Sequence, residues 1–542
     1  MSTNAQYSDV DYKLGMSSSI LLTSEDGDKL STRDNVVFET GYAQDEVIHV
    51  WPDKVKQTLL GIGSSFTESS AFVLAHLDVS ARAQVMENIY GAGGANFSLA
   101  RTPIGACDFS VEGRYSYDDV VDDKALDAFS IDADKDGFSK KLFTGIQDQS
   151  FDLLPMIKQA LEIKQSQQDQ DLRILASAWT APAWMKDIED WYVRGTPENN
   201  HAGTGGELKT EYIETYARYL VKYLDAYAQE GVCIWGLTPV NEPMGNNGQW
   251  ESMNFSAESE NDFVKNHLGP SLHASGHEQV KILVFDHNRD ELEHWADTIF
   301  ADPESASYVY GAAIHWYEST FKVSEELLEL VHQKYPEFSI IHSEGCIDDL
   351  GKDAPDGILD PARFKEADWF ANDSFWWNDN ATDWAYTATW PGVIAEDHPI
   401  YAPVHRYARN IIESFNHWVT GWIDWNIVLD RHGGPNHVGN FCGAPIMIDT
   451  DSGEVYYTPI FHVLAQLSRT IRPNDKALQT DCRFSGLDGV IYSSASIGED
   501  KLLSVQVLNT SKQAVHYHLQ IGVQNTPVCI AANSLQTVQV QL

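Results

Sequence analysis

Residues 232–243, VCIWGLTPVNEP, carry the pattern that decides the fold. A short apolar run closes on Asn241, Glu242 and a proline, which reads as a buried strand whose carboxyl end opens into a loop. Just upstream, residues 212–229 (YIETYARYLVKYLDAYAQ) repeat Tyr, Leu and Val at steps of three and four, which predicts an amphipathic helix. The same grammar recurs outward in both directions. Earlier come residues 59–66 (LLGIGSSF), 95–105 (ANFSLARTPIG) and 171–180 (DLRILASAWT). Later come residues 280–288 (VKILVFDHN), 308–317 (YVYGAAIHWY), 338–346 (FSIIHSEGC) and 418–429 (WVTGWIDWNIVL). Eight strand–helix units predict an α/β fold, a (β/α)8 barrel. Beyond the barrel the period changes to two. Residues 35–58 alternate apolar and polar, as do 502–509 (LLSVQVLN) and 537–542 (TVQVQL). The simplest assembly is a side β-sandwich built from both chain ends. The expected division is 1–58 for N-terminal sandwich strands, 59–436 for the barrel and 437–542 for the C-terminal sandwich.

Composition narrows the function. The chain has 542 residues, with 37 basic against 79 acidic side chains and a net charge of −42. A surface this acidic repels nucleic acid and anionic lipid, and disfavours nonspecific self-association. No apolar run reaches the roughly 18 residues that a membrane-spanning helix needs. Residues 1–10 (MSTNAQYSDV) lack the basic and apolar regions of a secretory signal, so a cytoplasmic setting is expected. Six cysteines are far apart with no CxxC pair, which predicts free buried thiols rather than disulfides or zinc. The 16 Trp, 23 Tyr and 22 Phe supply core, and Trp also suits the apolar faces of sugars.

Several motifs fail on inspection. Gly61-Ile62-Gly63 begins like a dinucleotide fingerprint, but Phe66 occupies the third glycine position. Residues 132–137 (DADKDG) resemble the start of a calcium loop. Its twelfth position is Phe143 instead of Glu, so a solvated acidic loop is expected. His277-Glu278 lacks the second histidine of a zinc protease, and no GxSxG elbow is present.

Two glutamates remain. Glu242 ends the fourth strand run and Glu344 the seventh. Either alone would serve as a helix cap or first-turn charge. Together, on opposite walls of a barrel and at the strand ends where barrel enzymes carry their chemistry, they suit a bond-cleaving carboxylate pair flanking a glycosidic linkage.

An Asn-Glu pair on strand four with a second Glu on strand seven resembles the (β/α)8 retaining glycosidases. The chain resembles glycoside hydrolase family 30 in particular, and within it the glucosylceramidases. The matching stretches are GIGSSFTESS (61–70), RTPIGACDFS (101–110), SAWTAPAW (177–184), YARYLVKYLDAYA (216–228), TPVNEP (238–243), IHWY (314–317), HSEGC (342–346), GWIDWN (421–426) and GGPN (433–436). The resemblance implies a barrel with a side β-sandwich, Glu242 as acid/base and Glu344 as nucleophile. It implies carboxyls about 5–5.5 Å apart, a separation that admits no water between sugar and nucleophile. It further implies that Asn241 bonds the sugar 2-hydroxyl and that Asp108 and Trp179 line the sugar subsite. His315 and Tyr317 would orient Glu344 and touch the sugar, Trp425 would floor the ring, and Asn440 would reach in from a loop. Arg101 would hold Glu344 ionised, although a purely structural ion pair is a rival role. Neither metal nor organic cofactor is required, since two carboxyls supply both proton and nucleophile.

Residues 187–206 and 244–250 depart from the glucosylceramidase pattern, and they would build the leaving-group side. The expected activity is a retaining exo-β-glucosidase on a β-glucoside or related small carbohydrate, of glucosylceramidase type and tolerant of xylosides. Alternatives are an endo-β-1,6-glucanase of the same family and an inactive carbohydrate-binding protein.

Overall fold

The computed structural model describes residues 9–111, 113–138, 143–167, 172–197, 203–245, 248–319, 322–348, 369–378, 402–487 and 489–542. Eight parallel strands close into a barrel in chain order. They are β1 (Gly61–Ser65), β2 (Leu99–Ile104), β3 (Arg173–Ala178), β4 (Gly236–Thr238), β5 (Lys281–Asn288), β6 (Val309–His315), β7 (Ser339–Glu344) and β8 (Val419–Asp424), and β8 pairs with β1. Each lies inside one of the eight apolar runs. The helix Ile213–Gln229 buries Tyr216, Tyr219, Leu220, Tyr223, Leu224 and Tyr227, the stripe its spacing predicts.

The barrel interior is layered by the two-residue period of its strands. Leu60, Leu99, Leu175, Leu283, Ala313, Ile341 and Ile423 pack into one apolar plug. Two residues further along their strands come Arg101, Ser177, His315 and Ser343, all buried. A polar layer therefore rests directly on the plug, at the carboxyl end of the barrel.

A β-sandwich flanks the barrel, built from a ten-stranded sheet that folds around its own core. N-terminal and C-terminal strands interleave in it. Ser19–Ser24 pairs with Ser534–Gln541, and Val47–Thr58 lies between Lys476–Arg483 and Val515–Ile521. Neither chain end can complete this sheet alone. Its first strand begins well before the alternation at residue 35. The helix Pro459–Thr470 precedes the C-terminal run of sandwich strands.

Three local expectations change. The fourth strand stops at Thr238, so Glu242 sits four residues into the following loop, with a left-handed φ of 49°. None of the six cysteines is in a disulfide, but Cys233, Cys482 and Cys529 are exposed rather than buried. In the acidic loop Asp132 and Asp136 are exposed, while Asp134 is buried. Asp134 accepts hydroxyl bonds from Tyr227 (2.6 Å), Tyr117 (2.7 Å) and Tyr115 (3.3 Å).

Burial pushes Asp134 up to about 7 despite those three donors. The folded chain therefore holds this proton at pH values where the unfolded chain has lost it, and stability falls as pH rises from about 4 to 7. Asp134→Asn removes that slope. Its melting temperature relative to wild type should rise between pH 5 and pH 8, by on the order of a few degrees, in paired thermal melts.

Candidate active site

The polar layer is organised by one buried ion pair. Arg101 Nη2 lies 2.8 Å from Asp286 Oδ2, and both side chains are fully buried. The other donors of Arg101 go to Ser177 Oγ (3.0 Å), Asn241 Oδ1 (2.6 Å) and Glu344 Oε2. Asp286 also accepts from Thr238 Oγ1 (2.7 Å), Ser343 Oγ (2.7 Å) and His315 Nε2 (3.0 Å). Burial alone would raise the Asp286 carboxyl, but Arg101, His315 and Ser343 together hold it far below the usual aspartate range.

Backbone irregularities aim these groups. The β5–β6 register shifts between Phe285 and His287, where Phe285 and Asp286 have φ of 78° and 48°. Strand parity would turn Phe285 inward over Leu283, and the bulge presents Asp286 instead. The β6–β7 register shifts where Ile314 pairs with His342 and His315 with Glu344, leaving Ser343 as the extra residue. Both bulged residues meet in the Ser343–Asp286 hydrogen bond. Three non-glycine residues with left-handed φ, Glu242, Phe285 and Asp286, thus cluster at one site, as backbone strain does at functional centres.

Glu344 is the last residue of β7. Its Oε2 is bonded by Arg101, and its Oε1 accepts from the Tyr317 hydroxyl at 3.1 Å. Glu242 is anchored through its backbone, whose N–H donates to the Asp286 carbonyl at 3.0 Å. Its Oε1 lies 3.3 Å from His315 Nδ1 and 3.9 Å from His287 Nδ1. His315, expected to orient Glu344, lies level with it across β6 and β7, but its ring bonds Glu242 and Asp286. Because a guanidinium only donates, Asn241 must turn its oxygen to Arg101, which leaves its NH2 for an acceptor.

Burial raises both glutamates. At Glu242 the His315 bond and the charges of His287, His315 and Arg101 outweigh it and hold the carboxyl below its ordinary value. At Glu344 burial, with the Glu242 and Asp286 charges, outweighs His315 and Arg101 and raises the carboxyl. This split belongs to a charged His315, which burial would neutralise but which Glu344, Asp286 and Glu242 lift to about 9.

The remaining expected residues gather around this centre. Trp179 and Trp425 stack on each other, centroids 5.2 Å apart, and Arg101 lies over both indoles at 4.7 and 5.6 Å. Each indole is 2% exposed, so together they make a wall rather than a free floor. Asp108 accepts from Asn440 Nδ2 at 3.0 Å. Burial pushes its carboxyl up to about 7, against that bond.

Sequence reasoning missed Asp286 and His287. Their signal was the DHN ending of an apolar strand, the same pattern that marked Glu344. His437 was missed too. Its ring contacts the Glu251 carboxylate at 2.9 Å and the Ser110 carbonyl at 3.0 Å, which ties the loop of Asn440 to the loop of Asp108.

Asp286→Asn should destabilise the fold by about 3–5 kcal/mol, because it leaves Arg101 and His315 short of a buried counter-charge. Chemical denaturation measures this. An unchanged midpoint and slope would show that the ion pair is not the centre of the layer.

Comparison with known proteins agrees with the barrel fold. Residues 59–386 and 396–471 match the glycosyl hydrolase family 30 TIM-barrel domain. The lysosomal acid glucosylceramidase of Mus musculus is 28% identical over 427 residues, covering 78% of this chain and 69% of that protein. The endo-1,6-β-D-glucanase BGN16.3 of Trichoderma harzianum is 23% identical over 469 residues, covering 86% and 80%. The crystal structure of SrfJ from Salmonella typhimurium superposes with a TM-score of 0.77 at 24% identity, over 97% of this chain and all of that one. The chain is a glycoside hydrolase and belongs to glycosyl hydrolase family 30.

Proposed function

We propose that this enzyme hydrolyses β-glucosides with retention, as a glucosylceramidase-type exo-β-glucosidase, with Glu344 as nucleophile and Glu242 as acid/base. The observation that carries the reading is the contrast between the two carboxyls. Glu344 is gripped by Arg101, which has no neutral form and so favours the anion. Among the described residues, the Glu242 carboxyl is hydrogen-bonded by His315, a group that can exchange a proton with it.

The mechanism follows from that contrast. Moving one proton from His315 Nδ1 to Glu242 Oε1, across the 3.3 Å contact, gives a neutral imidazole and a carboxylic acid. The other ring nitrogen still donates to Asp286. Glu344 Oε1 then attacks the anomeric carbon while Glu242 protonates the departing oxygen. The bond to the leaving group breaks, and a glycosyl ester forms on Glu344. Glu242, now a carboxylate, takes a proton from water, whose oxygen attacks the same carbon and releases Glu344. Two inversions retain the configuration. The NH2 of Asn241 meets the 2-hydroxyl, Asp108 accepts from a further hydroxyl, Asn440 orients Asp108, and Trp179 with Trp425 walls the ring.

Glu344→Gly and Glu242→Ala should each lower kcat on an aryl β-glucoside by at least about 100-fold. With Glu242→Ala and an activated substrate, azide should restore turnover and yield the β-glycosyl azide. Near-wild-type turnover in either variant, or an α product, would sink the assignment.

The Trichoderma relative favours a second reading, an endo-1,6-glucanase. Product sizing separates the two. Glucose as the sole early product from gentiobiose and pustulan supports exo action, and early oligosaccharides support endo action. Release of glucose from glucosylceramide would extend the exo reading to lipid glycosides.

A further inference from the structure

We propose that Glu242, His287 and His315 form a binding site for a zinc-class divalent cation whose occupancy switches the enzyme off. Glu242 offers a carboxylate oxygen and each histidine one ring nitrogen, all within 4.8 Å of one another and all on buried residues. His287 Nδ1 is buried and has no hydrogen-bond partner among the described residues. A buried polar atom without a partner is unfavourable, and a cation aimed at by two neighbouring ligands would satisfy it. The proposed double displacement assigns His287 no task.

The ligand chemistry selects the ion. Two imidazoles and one carboxylate suit zinc, copper or nickel, whereas magnesium and calcium prefer all-oxygen sites. With bonds of about 2.0–2.1 Å, a tetrahedral zinc wants its ligand atoms roughly 3.3–3.5 Å apart. The His315–Glu242 edge, at 3.3 Å, already fits, and the His287–Glu242 edge, at 3.9 Å, needs a small side-chain turn. His315 is also oriented from behind, since its Nε2 bonds Asp286 at 3.0 Å. A carboxylate behind an imidazole is the arrangement that fixes the ring of a metal-binding histidine. Three protein ligands leave a fourth position for water. A metal on Glu242 Oε1 removes the atom that must carry the proton, so this half of the inference rests on the acid/base reading of Glu242.

The test uses the full chain, stripped with EDTA and desalted, at one fixed pH. Zinc chloride is titrated by calorimetry and against hydrolysis of an aryl β-glucoside, with magnesium chloride as control. Cobalt(II) provides an optical readout, since a four-coordinate site with imidazole ligands absorbs strongly in the visible. The expected result is zinc binding with loss of rate, reversal by EDTA, no effect of magnesium, and a four-coordinate cobalt spectrum. His287→Gln should weaken zinc affinity at least about tenfold and abolish the cobalt spectrum. Its inhibition, read against its own metal-free rate, should shift by the same factor. Absence of zinc binding, or equal affinity in His287→Gln, overturns the site whatever the role of Glu242. Zinc binding that depends on His287 but leaves the rate intact overturns the switch, and with it the acid/base role of Glu242. The wild-type cobalt spectrum keeps the proposal falsifiable if the variant does not fold.

Discussion

The Arg101–Asp286 ion pair is the constraint on which the active layer depends. Removing two charges from water is unfavourable unless their remaining donors and acceptors are used. Here they are used across the barrel. Arg101 on β2 reaches Ser177 on β3, Asn241 beyond β4, Asp286 on β5 and Glu344 on β7. Asp286 collects donors from Thr238 on β4, His315 on β6 and Ser343 on β7. Six of the eight strands thus meet in one network, resting on the apolar plug beneath. Shifting one of those strands against its neighbours would strand a buried charge, so the register of the barrel and the aim of Glu344 are held by the same bonds.

The proposed division of labour between the two glutamates rests on what each is bonded to, since the side chains are chemically identical. A guanidinium cannot surrender its proton, whereas an imidazole can. Pairing Glu344 with Arg101 and Glu242 with His315 therefore gives one carboxyl a fixed partner and the other a proton donor. The imidazole that would supply this proton stands beside a second one, His287, that the proposed displacement leaves unused, and with Glu242 the two make the proposed metal ligand set, because a good proton acceptor is a good Lewis base. The side proposed to face the sugar is built separately, from loops. Asp108, Asn440 and His437 join the chain after β2 to the chain after β8.

Much of this was legible in the sequence. Eight apolar runs with helical spacing between them identify the barrel, because burial on both faces demands continuous hydrophobicity in each strand. Glu344 and Glu242 were visible as charges at the ends of such runs. Asp286 was passed over although VKILVFDHN has the same form as FSIIHSEGC. Strand parity points Phe285 inward, and the bulge that replaces it with Asp286 leaves no periodic trace. The hydrogen-bond partners of His315 escaped for a related reason: its ring turns to Glu242 and to the bulged Asp286, and neither contact has a local sequence signal.

By itself, the sequence determined the strand count, the layered class and the residue types available at the barrel mouth, since these follow from local hydrophobic period and composition. Only the tertiary structure decided that Asp286 is the hub, that His315 bonds Glu242, that Trp179 and Trp425 stack on each other, and that His287 comes within 3.9 Å of the same Glu242 oxygen. Those facts depend on two bulges and on a left-handed turn at Glu242. Such features are stabilised by contacts between residues well separated in the chain, 57 positions for Ser343–Asp286 and 185 for Arg101–Asp286, and a local reading of the chain has no access to that energy.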